Sequence, residues 1–263
     1  MTWNLDRDAD LPVWHPVPAD PDCVLAFSTR RGGTTPPPRG TLNLADTVGD
    51  LPDRVRANRE RLVRRLGLDP SRLVTAGQVH GATVREVTAP GHVAACDALL
   101  TRTRGLVLAV ATADCMSLLY SAPGAVAVAH AGWRGAAAGV PALGLDALCH
   151  SAGVAPGQIR VALGPCIRAC CYVVGPEVAA RFPDAVVRSV SGRLHLDLPA
   201  AARLQLLAAG LAPDAFDDTR ACTACEPDWF FSHRRDAGIT GRQWGLAALG
   251  SPVDLDRARG PGV

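Results

Sequence analysis

Two histidines and one cysteine sit beside small residues where apolar runs end. They are His80 in Gln78-Val79-His80-Gly81, Cys115 in Ala113-Asp114-Cys115, and His130 in His130-Ala131-Gly132-Trp133-Arg134-Gly135. Each run reads as a strand, so each of the three side chains falls at the C-terminal edge of a strand. Strand ends that feed loops are where α/β folds place their sites. Imidazole and thiolate are the usual ligands of zinc, and three protein ligands leave a position open for water or substrate. Water on such an ion has its pKa lowered to about 7. The same residues also suit thiol chemistry, with Cys115 as nucleophile and His80 or His130 as base. Both readings stand beside a plain one, a buried Cys and two hydrogen-bonded core His, because the trio is dispersed and lone residues of these types usually pack.

Asp114 adjoins Cys115 and points the opposite way on an extended segment. It either orients a ligand from behind or caps a turn. Cys166, Cys170 and Cys171 are candidates for a fourth ligand that would close the site and make it structural. Cys222-x-x-Cys225 is half of a structural metal site but has no partner pair of the same type, so buried or rim thiols are the plainer reading. The nine cysteines are odd in number and irregular in spacing, which fits no secreted disulfide framework.

The elements that must position these residues alternate in type. Val24–Thr29, Leu73–Thr75, Thr83–Val87, Leu106–Thr112, Met116–Tyr120, Ala125–Ala129 and Ile159–Leu163 read as strands, as do Trp229–Ser232 and Gln243–Leu249. Ser121-Ala122-Pro123-Gly124 reads as a hairpin turn. Pro52–Leu66, ending at Gly67, reads as an amphipathic surface helix. Gly135–Ser151, Glu177–Arg181 and Pro199–Ala209 read as further helices. The expected organisation is an extended N-terminal segment over 1–22, one α/β catalytic domain over 23–250, and a flexible tail over 251–263.

Composition narrows the function. All 27 basic residues are Arg and the net charge is +2, which gives no footprint for a nucleic-acid partner. No apolar run approaches the roughly 20 residues of a membrane span. The N-terminus carries no apolar signal core. A cytoplasmic, reducing setting is expected, where thiols persist.

Read together, Thr41-Leu42-Asn43-Leu44, Val48-Gly49-Asp50, the three stretches above, Leu163-Gly164-Pro165 and Phe230-Phe231-Ser232-His233-Arg234-Arg235-Asp236 resemble the YfiH family. That family is also called the polyphenol oxidase or laccase-domain family and includes peptidoglycan editing factors. The resemblance covers roughly residues 23–249. It implies zinc, with copper as the alternative ion, on His80, Cys115 and His130. It also implies a single α/β domain with mixed β-sheets in a central sandwich flanked by helices, related to deamidating toxin domains. Two departures stand out: His233 replaces a more usual Tyr, and the pairs Cys170-Cys171 and Cys222-x-x-Cys225 make the chain unusually rich in Cys.

The resemblance implies phosphorolysis of adenosine, inosine and methylthioadenosine, with adenosine deamination as a side activity. Phosphorolysis needs a pocket for phosphate, and Arg30, Arg134 and Arg234 are candidates because guanidinium binds phosphate oxygens bidentately. Asn43, held between leucines, is a candidate for the base or ribose; a turn-forming Asn is the competing reading. The alternative is an editing amidase that removes L-serine from a UDP-muramoyl amino acid, by a zinc-activated water or by Cys115. A zinc-stabilised binding module is the non-enzymatic reading. Multi-copper oxidase chemistry is disfavoured because no dense His cluster and no His-Cys-His occurs. Cytidine-deaminase chemistry lacks its His-x-Glu motif, and dinucleotide and P-loop motifs are absent.

Overall fold

A computed structural model describes residues 2–7 and 9–250; the expected tail over 251–263 lies outside the described residues. The chain opens with β1 (Thr2–Leu5), β2 (Val13–Val17) and β3 (Cys23–Ser28), then helix α1 (Pro52–Arg65). Next come β4 (Leu73–Gly77), β5 (Val84–Glu86), β6 (Gly91–Ala94), β7 (Ala98–Thr101), β8 (Val107–Thr112), β9 (Met116–Ala122) and β10 (Ala125–Ala131). Helices α2 (Trp133–Ala137) and α3 (Val140–Ala152) precede β11 (Arg160–Leu163) and β12 (Val173–Val174). The last elements are α4 (Pro176–Ala179), β13 (Val187–Val190), β14 (Arg193–Leu196), α5 (Leu198–Ala208), β15 (Phe216–Asp218) and β16 (Gln243–Leu249).

Among the described residues these strands form three sheets. The first has seven strands in the order β1-β2-β3-β16-β8-β4-β6, the second six in the order β15-β11-β9-β10-β7-β5, and the third is the small β12-β14-β13. Both large sheets are mixed: β4 runs parallel to β6 and β8, while β16 is antiparallel to β3 and β8.

Strand alternation explains how the layers pack. In β8, Leu108 and Val110 face the second sheet, where they meet Leu99, Leu119 and Val128. Val107 and Ala109 face the other way and pack with Leu62 and Val63 of α1. In β9 and β10, Met116, Leu118, Tyr120, Ala127 and Ala129 cover α3 and α5 through Leu145, Leu148, Ala202 and Leu206. Residues two apart share a face, so each central strand contributes to two cores and reads as a nearly unbroken apolar run. The result is helix, sheet, sheet, helix: an α/β sandwich of mixed sheets flanked by helices. Removing a core side chain such as Leu119, which is fully buried, is expected to cost about 2–5 kcal/mol.

Two expected elements differ. The helix over 135–151 is two helices, because Gly139 takes a left-handed φ of 84° between them and Pro141 brings no N–H to an unbroken helix. Residues 229–232 are not a strand. Their backbone groups bond to side chains and to a distant loop instead of a ladder: Phe231 N–H donates to Gln243 Oε1 at 2.9 Å, Gln243 Nε2 returns to the Phe231 carbonyl at 3.2 Å, and Arg30 N–H donates to the Trp229 carbonyl. No helix of the described residues is long and apolar enough to cross a membrane.

Candidate active site

His130 lies near the C-terminal end of β10. It shares the parity of Val126 and Val128 and so faces the first, seven-stranded sheet. Cys115 immediately precedes β9, and His80 stands in the loop after β4. Three distant segments therefore converge, and one donor atom from each of His80, Cys115 and His130 falls within 4.8 Å of the others. The two imidazoles meet edge to face, with 4.8 Å between centroids. His130 is buried, Cys115 half-buried and His80 exposed, so the group is anchored on one side and open on the other. Gly132 makes room for it: a Cβ there would lie 2.9 Å from Cys115 Sγ and 3.3 Å from the His80 ring. Two imidazoles and a thiolate, confined to this space with one open side, are a donor set that fits zinc.

A carboxylate that the sequence reading omits organises the group. Asp97 is fully buried at the start of β7. Its Oδ1 lies 2.9 Å from His130 Nδ1 and accepts the His80 N–H at 3.0 Å. Its Oδ2 accepts the Gly81 N–H at 2.7 Å. One acid thus fixes the ring of one histidine and the backbone of the other. The His80 backbone needs this hold, because its φ of 59° is a left-handed conformation rare for a bulky residue.

The electrostatics follow. Burial disfavours the Cys115 thiolate, but the charges and hydrogen bonds of His130 and His80 outweigh it and draw the thiol down to about 6. Burial likewise disfavours the His130 imidazolium, while Cys115 and Asp97 carry it up to about 9. Asp97 is pushed up by burial but held below the usual carboxylate range by His130 and the backbone N–H groups of Gly81 and Val79. Each of the two groups thus favours the charged form of the other.

The other expected residues divide. Arg234 lines the cleft beside the trio, with its guanidinium 5.1 Å from the Tyr172 ring centroid. Asp114 also lines it, and its carboxylate accepts from Thr223 Oγ1 and the Arg234 N–H, both at 2.6 Å. The acid that holds the His130 ring is Asp97 instead. Arg30 is absorbed into loop packing: Nε donates to the Gly40 carbonyl and Nη1 to the Pro227 carbonyl, over the Phe231 ring. Arg134 is exposed on α2, stacked 4.6 Å from the Trp133 ring centroid, outside the cleft lining. Asn43 is fully buried; it bonds Ala45 and Asp50 and accepts the Arg242 N–H at 3.0 Å. It sets the backbone that carries Arg242. Cys166 is buried elsewhere, and Cys170 and Cys171 group with Cys222 and Cys225 instead of joining His80.

The cleft itself has a volume of about 520 Å³. Arg59, Arg234, Arg242, His92 and His233 bring cationic or proton-bearing groups to it, while Tyr172, Trp244, Ala109 and Ala111 supply apolar wall. Burial holds the Arg242 pKa below its ordinary value, against the pull of Cys115 and Asp114. Arg59 and Arg242 escape sequence reading because an all-Arg chain gives a single Arg little weight. Gln78 acts on backbone: its side-chain amide donates to the Ala111 carbonyl at 2.7 Å and accepts the Ala111 N–H at 2.8 Å, locking the loop that leads to His80 onto β8.

Comparison with known proteins is consistent with this architecture. Residues 24–250 match a family model described as multi-copper polyphenol oxidoreductase laccase. A Geobacillus stearothermophilus protein named purine nucleoside phosphorylase YlmD is 38% identical over 247 residues, covering 86% of this chain and 89% of the relative. A Deinococcus radiodurans protein named purine nucleoside phosphorylase is 40% identical over 230 residues, covering 85% and 88%. The crystal structure of YlmD from Geobacillus stearothermophilus superposes with a TM-score of 0.87 at 35% identity, over 94% of this chain and 98% of that one. The Bacillus licheniformis YfiH structure gives 0.86 at 30% identity, over 93% and 98%. With nearly its whole length matched in sequence and in fold, this chain belongs to the laccase-domain family that includes YfiH and YlmD.

Proposed function

We propose that this chain is a zinc-dependent purine nucleoside phosphorylase acting on adenosine, inosine and methylthioadenosine, with adenosine deamination as a side activity. The observation that carries the reading is the sharing of one cleft by the His80–Cys115–His130 group, the Arg59, Arg234 and Arg242 cations, and the Tyr172 and Trp244 rings. The names of the relatives support the same chemistry.

His80, Cys115 and His130 would hold the zinc, which when bound supplies a Lewis acid at the open side of the site. Arg234 and Arg242 bind the phosphate oxygens, since charge-assisted guanidinium pairs are strong and directional. Aromatic and alanine walls receive the purine face. As phosphate oxygen bonds to C1′ and the glycosidic bond breaks, the departing purine nitrogen takes a proton. His233 and His92 line the cleft and place imidazoles where a general acid would stand. Asp97 keeps the His130 ring in one orientation throughout.

A second reading has its own observation behind it. The Asp97–His130–Cys115 chain has the order of acid, base and thiol found in nucleophilic hydrolases. It favours attack by Cys115 on an amide such as that of UDP-muramoyl-serine. One panel separates the two: adenosine, inosine, methylthioadenosine and UDP-muramoyl-L-serine, each with and without phosphate. Phosphate-dependent loss of the nucleosides supports the phosphorylase. Serine release without nucleoside turnover rejects it.

A further inference from the structure

Four cysteines outside the cleft trio come together from two segments that lie far apart in sequence. Cys170 and Cys171 stand in the turn after β11, and Cys222 and Cys225 in the turn after β15. A parallel bridge between Cys166 and Cys222 sets the two segments side by side. The Cys171 and Cys225 sulfurs are 3.3 Å apart, Cys170 lies 3.6 Å from both Cys222 and Cys225, and Cys170 and Cys171 are 3.7 Å apart. All four sulfurs lie within 4.8 Å of one another, and all four are free thiols. The pair Cys222-x-x-Cys225 therefore does have a partner pair, the adjacent Cys170-Cys171.

We infer that Cys170, Cys171, Cys222 and Cys225 form a second, structural zinc site, a four-thiolate tetrahedron separate from the cleft trio. Zinc–sulfur bonds of about 2.3 Å place the sulfurs of a regular tetrahedron about 3.8 Å apart. The observed separations need only small outward shifts to reach that value. Arg168 Nε donates to the Ala221 carbonyl while its terminal nitrogens pair with Asp218, which ties the two cysteine-bearing segments together. Four protein ligands close the coordination sphere, so the ion is structural and not catalytic.

Its place in the fold gives it a task. Cys170 and Cys171 directly precede Tyr172, and Cys222 and Cys225 lead into the loop that carries His233 and Arg234. Tyr172 and Arg234 are stacked on one wall of the cleft. Zinc across the four sulfurs would pin that wall, adding to the Cys166–Cys222 bridge and the Arg168–Asp218 ion pair that already join the two segments.

The test is a metal count that does not depend on activity. In the full chain carrying His80→Ala and Cys115→Ala, one zinc per chain is expected to remain by plasma mass spectrometry. Its cobalt-exchanged form should show the intense visible bands and near-ultraviolet sulfur-to-metal absorption of tetrahedral thiolate coordination. Adding Cys222→Ser and Cys225→Ser should take the count to zero. Absence of metal from the first variant, or a cobalt form without those bands, overturns the site. If these variants fail to fold, native mass spectrometry of wild type against Cys170→Ser decides. A loss of one zinc is expected, and an unchanged count refutes the assignment. Failure of the purine reading leaves each of these readouts unaffected.

Discussion

Asp97 Oδ1 sits 2.9 Å from His130 Nδ1 and 3.0 Å from the His80 backbone nitrogen, so one carboxylate oxygen joins the two histidines of the site. Asp97→Ala leaves the His80 and Gly81 N–H groups without their acceptor and removes the His130 partner. A buried network broken on one side costs about 3–5 kcal/mol. Urea unfolding should show a destabilisation of that order, and zinc affinity should fall about 10–100-fold, as for other partners of metal-bound histidine. A variant with wild-type stability and zinc binding would remove Asp97 from its organising role.

His80→Ala, Cys115→Ala and His130→Ala are each expected to abolish stoichiometric zinc at the cleft, counted apart from the four-thiol cluster by cobalt spectroscopy. Loading should also protect Cys115. With zinc bound, iodoacetamide is expected to modify it slowly, because a coordinated thiolate is a poor nucleophile. In the metal-free chain a thiol drawn down to about 6 is mostly thiolate at pH 7 and should alkylate rapidly. Full turnover in the metal-free chain, lost on alkylation, would transfer catalysis to Cys115.

The arginines make a graded expectation. Arg242→Ala and Arg234→Ala should each raise the KM for phosphate about 10–100-fold, the loss of a charge-assisted pair of about 1.5–3 kcal/mol. Arg134→Ala should change it little, since that side chain stacks on Trp133 outside the cleft. Steady-state kinetics at saturating nucleoside measures this. A large effect at Arg134 with none at Arg242 would place the phosphate elsewhere.

Asp236 supplies a pH dependence. Both of its oxygens pair with Arg235, at 2.7 and 2.8 Å, and Arg235 in turn holds the Thr223 and Phe230 carbonyls. Burial pushes the Asp236 pKa up, but the bonds from Arg235 and its neighbours outweigh this and lower it below the ordinary value. The acid therefore contributes stability above its unfolded pKa of about 3.9, and that stability is lost as pH falls through the lower folded value. Asp236→Asn should cost about 1–2 kcal/mol at pH 7. The difference from wild type should shrink below about pH 4. A difference that persists at pH 2.5 would mean packing, not charge, sets the effect.

Legibility in the sequence tracks distance along the chain. Strands β8, β9, β10 and β16 can be read because nearly unbroken apolar runs such as Val107–Thr112 stand between turn residues, whereas β1, β2, β6, β7 and β15 are too short or too polar to stand out. His80, Cys115 and His130 can be singled out because each has small neighbours at a strand end. Asp97 cannot: it is an acid in an apolar stretch, and its partner His130 lies 33 residues away. The four thiols hide similarly, since Cys170 and Cys222 are 52 residues apart and the adjacent Cys170-Cys171 pair lacks the metal spacing that Cys222-x-x-Cys225 has. Residues 229–232 read as a strand because their apolar run is real; side chains from Gln243 and Arg235 take up the bonds that a ladder would have used.

The most direct measurement follows the products of adenosine by phosphorus NMR and base chromatography, with and without inorganic phosphate. Ribose 1-phosphate should appear mole for mole with adenine, only when phosphate is present and only in the zinc-loaded chain. Free ribose released at the same rate without phosphate, or no cleavage of any purine nucleoside, would contradict the phosphorylase.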